Sequence, residues 1–228
     1  RMNALILSAV SGVLMMFAGL AFKDGRTVRT IALVLLAAVV AGTVAELAGY
    51  QFFNINTRGM MVFDRFALLF TFVAAACTFA FFALSGRDME NVGLHLSDYF
   101  ALIFFILVGI VLSASFKSLL ILFLGIEIIS IPLYILTGSD KRSLKSNEAA
   151  LKYFLMGAFS TGLMLMGIAL LYGASGTFMT TAMNLGAAEK VSVLAITGML
   201  LLLFSLSFKV SAAPFHFWTP DVYDGAPT

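Results

Sequence analysis

The chain has 228 residues, 61% of them hydrophobic and 11% charged, whereas ordinary soluble domains are about 45–50% apolar and about 25% charged. With a mean hydropathy of +1.02, that composition excludes a soluble globular enzyme, and a net charge of +2 leaves no electrostatic footprint for nucleic acid. The one cysteine, Cys77, can build neither a disulfide framework nor a cysteine metal site.

Apolar runs of about 20 residues, the length that crosses a hydrocarbon core, recur in chain order. The first covers residues 3–22 and closes in Lys23, Asp24, Gly25, Arg26 and Thr27. A second runs over 30–50, and a third over 60–84 with Asp64 and Arg65 one turn inside its start. After the polar loop 85–98, a fourth (99–114) and a fifth (118–137) are separated only by Ser115, Phe116 and Lys117, a tight hairpin. The segment 138–148 then carries Lys141, Arg142 and Lys145, a sixth span covers 149–172, and a seventh starts near Val191. These runs lack the ten-residue alternation of barrel strands, and lipid offers backbone groups no other partner, so the spans are helices. The expected fold is all-α: a polytopic transmembrane helical bundle of about seven helices. Three N-terminal helices (1–98) are followed by helices four to seven (99–228).

Lysine and arginine excess marks the cytoplasmic side of a membrane protein. Lys23, Arg26, Arg29, Arg87, Lys141, Arg142 and Lys145 fall after the odd-numbered spans, against Arg1, Arg58, Lys117 and Lys190 on the other side. The N-terminus is therefore expected outside. The chain opens on Arg1 and stops at Thr228 without a closing signal, which leads us to expect a piece of a longer protein.

Ionisable residues at membrane depth carry the information, because each costs about 2.5–3.5 kcal/mol at a helix centre. Glu127 lies roughly 15 Å into the fifth span at 1.5 Å per residue, so it must be protonated, face a cation from another helix, or form a purely structural buried pair. Lys209 lies deep in the seventh, with Ser205, Ser207 and Ser211 nearby and Pro214 five residues on. Proline removes a donor and disrupts the helical bond to residue 210, and the carbonyl so released could line a hydrated cavity beside Lys209. A kinked helix whose lysine snorkels to the surface is the plainer alternative. Lys152, four residues after Glu148, stands between snorkelling and function by depth. Glu46, near the outer end of the second span, reads as interfacial, as do Asp64 and Arg65. His95 falls in a polar loop. His216 follows Pro214 among Phe215, Phe217 and Trp218, where an imidazole that titrates near neutrality can admit protons or simply belong to an aromatic anchor. Nucleotide-binding glycine patterns, paired cysteines and paired axial histidines are absent, so no flavin, haem or iron–sulfur cluster is expected in this chain.

Three stretches carry a family resemblance: Leu124-Gly125-Ile126-Glu127-Ile128-Ile129-Ser130-Ile131-Pro132-Leu133-Tyr134; Glu148-Ala149-Ala150-Leu151-Lys152-Tyr153-Phe154 with Gly157 and Leu171-Tyr172-Gly173; and residues 208–223, running on through Gly225-Ala226-Pro227-Thr228. They resemble the antiporter-like, proton-pumping membrane subunits of respiratory complex I, the NADH:quinone oxidoreductase, strongly over 99–228 and only in layout over 1–98. The resemblance implies that Glu127, Lys152 and Lys209 belong to a hydrated polar axis and move protons as quinone is reduced elsewhere in the complex. It implies further that flavin, iron–sulfur clusters and quinone sit in partner subunits, that the partners are other membrane-arm subunits and the lipid bilayer, and that the membrane is the bacterial inner membrane. It also implies that the chain is the N-terminal half of a fold of about fourteen helices with an inverted repeat. The alternatives are a subunit of a multi-subunit sodium/proton antiporter, which shares the Glu and Lys constellation, and a membrane scaffold whose buried charges only fix helix packing.

Overall fold

A computed structural model describes residues 2–53, 55–85, 96–183 and 192–227. The described residues form α1 (Asn3–Ala21), α2 (Gly25–Leu47), α3 (Arg65–Leu84), α4 (Leu96–Ala114), α5 (Leu119–Thr137), α6 (Leu144–Ser175), α7 (Val193–Lys209) and α8 (Thr219–Gly225). Six of these, α1 to α6, are long and apolar enough to cross a membrane, and α7 is a shorter apolar helix of 17 residues. The expected all-α architecture is therefore present. Large apolar side chains such as Phe17, Leu20, Phe66, Phe70 and Leu203 point outward, as lipid-facing surface requires.

Helix starts differ from the apolar runs because side-chain caps, rather than hydropathy, fix them. Asp24 accepts from the Thr27 amide at 3.2 Å and the Thr27 hydroxyl at 2.8 Å, so α2 begins at Gly25 and takes in residues that read as loop. Asp64 accepts from the Ala67 amide at 2.8 Å, which makes it the cap of α3 and moves that start from residue 60 to Arg65. Ser143 accepts from the Ser146 amide at 3.3 Å. Consequently α6 runs 32 residues, about 48 Å at 1.5 Å per residue, and carries Lys145 and Glu148 within the helix.

The chain forms two compact units, residues 1–116 with 124–132, and residues 117–123 with 133–228. Packing groups α4 with α1 to α3 in the first unit. The first unit is built on Met15, Leu36, Phe82, Phe100 and Phe104, all fully buried; the Phe82 ring lies 4.6 Å from Phe100 and 6.4 Å, edge-on, from Phe104. Glu46 is buried by protein: it is 1% exposed, and the Ala4 amide donates to its carboxylate at 3.4 Å. It stands at the end of α2 as expected, but α1 closes over it.

In the second unit α6 and α7 touch backbone to backbone. A Cβ added at Gly167 would lie 2.8 Å from the Gly198 carbonyl, and one at Gly198 would lie 2.9 Å from that of Gly167. Small residues at a crossing let membrane helices approach this closely. One face further along, the hydroxyls of Ser160 and Ser205 are 3.0 Å apart, and Ser205 donates to the Ser160 carbonyl at 2.7 Å. The short α8 packs on the start of α6.

Candidate functional site

Glu127 is half-buried near the middle of α5, inside the segment 124–132 that belongs to the first unit. Pro132 lies in the same helix and cannot donate to the Ile128 carbonyl, so the backbone ladder is interrupted within a turn of the carboxylate. Ser130 donates to the Ile126 carbonyl at 2.8 Å.

Lys209 is the final residue of α7, where the carbonyl end of the helix favours a cation. Its Nζ donates to the Tyr134 hydroxyl at 3.1 Å. The same nitrogen lies 5.7 Å from the centre of that ring, near the outer limit for an ammonium over an aromatic face, so the hydroxyl is the principal contact. Tyr134 is buried, 8% exposed. Its ring meets Tyr153 edge-on at 4.6 Å and Phe154 at 5.9 Å. Tyr153 stacks on Trp218 at 4.8 Å, Trp218 stacks on Phe208 at 5.4 Å, and the Trp218 indole N–H donates to the Phe208 carbonyl at 3.2 Å. The contacts therefore close a ring that starts and ends beside Lys209.

The break after α7 is not made by Pro214 as expected. The helix has already ended at Lys209, and Ser211 turns the chain with φ of 55°. The Ala212 amide donates to the Ser207 carbonyl at 2.9 Å, and the Thr219 hydroxyl to that of Ser211 at 2.6 Å. Pro214 sits beyond, after a cis peptide bond from Ala213, and is exposed. The last amide of the helical ladder is that of Val210, which donates to the Leu206 carbonyl at 3.1 Å, so the chain has already left the helix before Pro214 and the proline has no helical bond to disrupt. His216 is exposed in this turn, and its carbonyl accepts from the Thr219 amide at 3.1 Å. His95 lies outside the described residues.

Lys152 joins two carboxylates, Glu148 at 2.8 Å and Asp221 of α8 at 2.9 Å. All three side chains are substantially exposed, at 40%, 65% and 59%. Beside them Lys145 reaches Asp224 at 3.4 Å. The second unit therefore brings Lys209 to Tyr134 and Lys152 to Asp221, while Glu127 belongs to the first. Sequence reasoning by depth had passed over Tyr134 and Asp221. A usable signal existed for Tyr134, which follows Glu127 by seven residues and so lies on the same side of α5, two turns on.

The family described as NADH:quinone oxidoreductase/Mrp antiporter, TM, matches residues 116–228, a stretch that holds Glu127, Tyr134, Lys152 and Lys209. NADH-quinone oxidoreductase subunit N of Cytophaga hutchinsonii is 40% identical over 232 aligned positions, which take in 100% of this chain. The chain belongs to this antiporter-like membrane family. It spans about half the length of the curated relatives it matches, 48% of the Cytophaga protein. Among solved structures, a chain of respiratory complex I from Thermus thermophilus with bound aureothin is 33% identical, with a TM-score of 0.76 over 98% of this chain and 48% of that one. A chain of the Mrp complex from a Dietzia species superposes with a TM-score of 0.77 over 98% of this chain and 43% of that one, at 20% identity, a likeness of fold alone. Family membership and six membrane-length apolar helices make the chain a multi-pass membrane protein.

Proposed function

We propose that this chain is part of a proton-translocating membrane subunit of an NADH:quinone oxidoreductase, and that Glu127, Lys209 and Lys152 carry the protons. The observation that supports this most is Lys209: an ammonium at the end of an apolar helix, where the chain turns at Ser211, seated on a buried hydroxyl. A lysine in apolar surroundings binds its proton according to how near a carboxylate stands. A change in that pairing therefore changes whether Lys209 keeps or passes on its proton. Glu127 is proposed as the carboxylate of this exchange, and Lys152, held by Glu148 and Asp221, as the next basic site. His216, exposed in the turn before α8, is the proposed entry point. Flavin, iron–sulfur clusters and quinone are assigned to partner subunits, and the neighbours of this chain to the other membrane-arm subunits in the bacterial inner membrane. The N-terminus is assigned to the outer side on the lysine and arginine count.

A sodium/proton antiporter subunit is the second reading, favoured by the shared fold; the higher identity to complex I subunits supports the first. Affinity purification of the tagged full-length protein from its native membrane distinguishes them. Recovery of NADH-oxidising, quinone-reducing activity with the tag supports the first reading. Recovery of a complex without that activity, in membranes whose sodium extrusion depends on the protein, contradicts it.

A further inference from the structure

We propose that Tyr134 is a positioning residue for the Lys209 amine, seated by the missing side chain of Gly157; this rests on the proton-carrying role of Lys209 given above. The tyrosine hydroxyl accepts from the Lys209 ammonium at 3.1 Å. Buried phenols need a partner, and this hydroxyl lies so close to α6 that a Cβ at Gly157 would overlap it, with the Cζ atom of the ring 2.7 Å away. Glycine at 157 is thus what lets the hydroxyl stand where Lys209 reaches it. The ring is fixed edge-on by Tyr153 and Phe154, and Tyr153 by Trp218.

A hydroxyl suits a lysine that changes protonation state. It accepts from the ammonium, and after the proton has left it can donate its own O–H to the neutral amine. A carboxylate serves only the charged form. Tyr134 therefore keeps Lys209 in place while its carboxylate pairing changes, and adds no charge of its own.

The test uses the full-length protein in its assembled complex, with NADH-driven proton pumping normalised to assembled complex. Tyr134→Phe keeps the ring and removes the hydroxyl; Gly157→Ala keeps the hydroxyl and displaces it. Each is expected to reduce pumping about tenfold, the change that corresponds to losing one hydrogen bond to a charged group, and the double variant to be no worse than Tyr134→Phe. In redox-induced infrared difference spectra of ring-labelled complex, the phenol C–O band that disappears in Tyr134→Phe is expected to shift in Lys209→Ala, a change that a merely structural tyrosine would not show. Normal pumping by assembled Tyr134→Phe, or a Tyr134 band unaffected by Lys209→Ala, overturns the positioning role. If Lys209→Ala itself pumps normally, the underlying functional reading fails instead. Should Gly157→Ala not assemble, Tyr134→Phe and the infrared band still decide.

Discussion

A lysine at the carbonyl end of a helix faces the negative end of the helix dipole, and Lys209 takes that position as the last residue of α7. Lys152 has a different setting, bridging two carboxylates that are both more than half exposed. Exposed pairs of this kind contribute little to stability and weaken with salt. We therefore expect Lys152→Ala to leave thermal unfolding of the assembled complex nearly unchanged and to reduce NADH-driven pumping less than Lys209→Ala does. Pumping unchanged in both Lys152→Ala and Lys152→Arg would leave Lys152 as a surface tether for α8. Asp24 supplies a pH-dependent counterpart outside the spans. Its carboxyl is held below the ordinary value of 3.8, first by the Thr27 hydroxyl and then by the Thr27 amide. A carboxyl depressed in the folded state contributes stability that is present above the unfolded value and lost as pH falls through the folded one. Amide exchange at Thr27, corrected for its intrinsic pH dependence, should accelerate below about pH 4, and Asp24→Ala should remove that step. Glu127 and Lys209 were legible in the sequence because a charge within an apolar run is locally anomalous. Their neighbours were not, since the contact of Tyr134 with Lys209 or of Asp221 with Lys152 joins residues more than 60 positions apart.

At the scale of elements, hydropathy located the spans and caps set their ends. The polar stretch before α2 read as loop because Arg26 and Thr27 are hydrophilic, yet Asp24 draws them into the first helical turn. The same holds for the start of α6, where Ser143 begins the helix well before the apolar run. The break after α7 was anticipated from Pro214, but it occurs at Ser211, whose left-handed φ a sequence pattern does not announce. Close approach of α6 and α7 depends on Gly167 and Gly198. Gly198→Ala is expected to destabilise the second unit by about 1–3 kcal/mol, the usual cost of overpacking a tight contact. The measurement is the thermal midpoint of the purified complex, and a midpoint equal to wild type would show that the crossing is looser than described. Ser192, which accepts from the Ala195 amide at 3.1 Å, caps α7; Ser192→Ala should cost about 1 kcal/mol by the same assay.

For the whole molecule, composition already demanded a membrane, and the arrangement of loops makes its sidedness testable. Cysteine placed at Lys23, between α1 and α2, should react with an impermeant maleimide only from the cytoplasmic side, and cysteine at Arg58 only from outside. The native Cys77, exposed within the membrane-length helix α3, should remain unlabelled from either. The reverse pattern would invert the topology without touching the fold. Grouping of α4 with the first three helices was not legible, because periodicity says which residues lie on one face and not which helix covers that face. The central claim is that a proton resides on Lys209 during turnover. It is tested most directly by NADH-driven acidification of inverted membrane vesicles carrying the full-length Lys209→Ala or Glu127→Gln protein, normalised to assembled complex. We predict a loss of at least about tenfold for each; acidification equal to wild type in either assembled variant would contradict it.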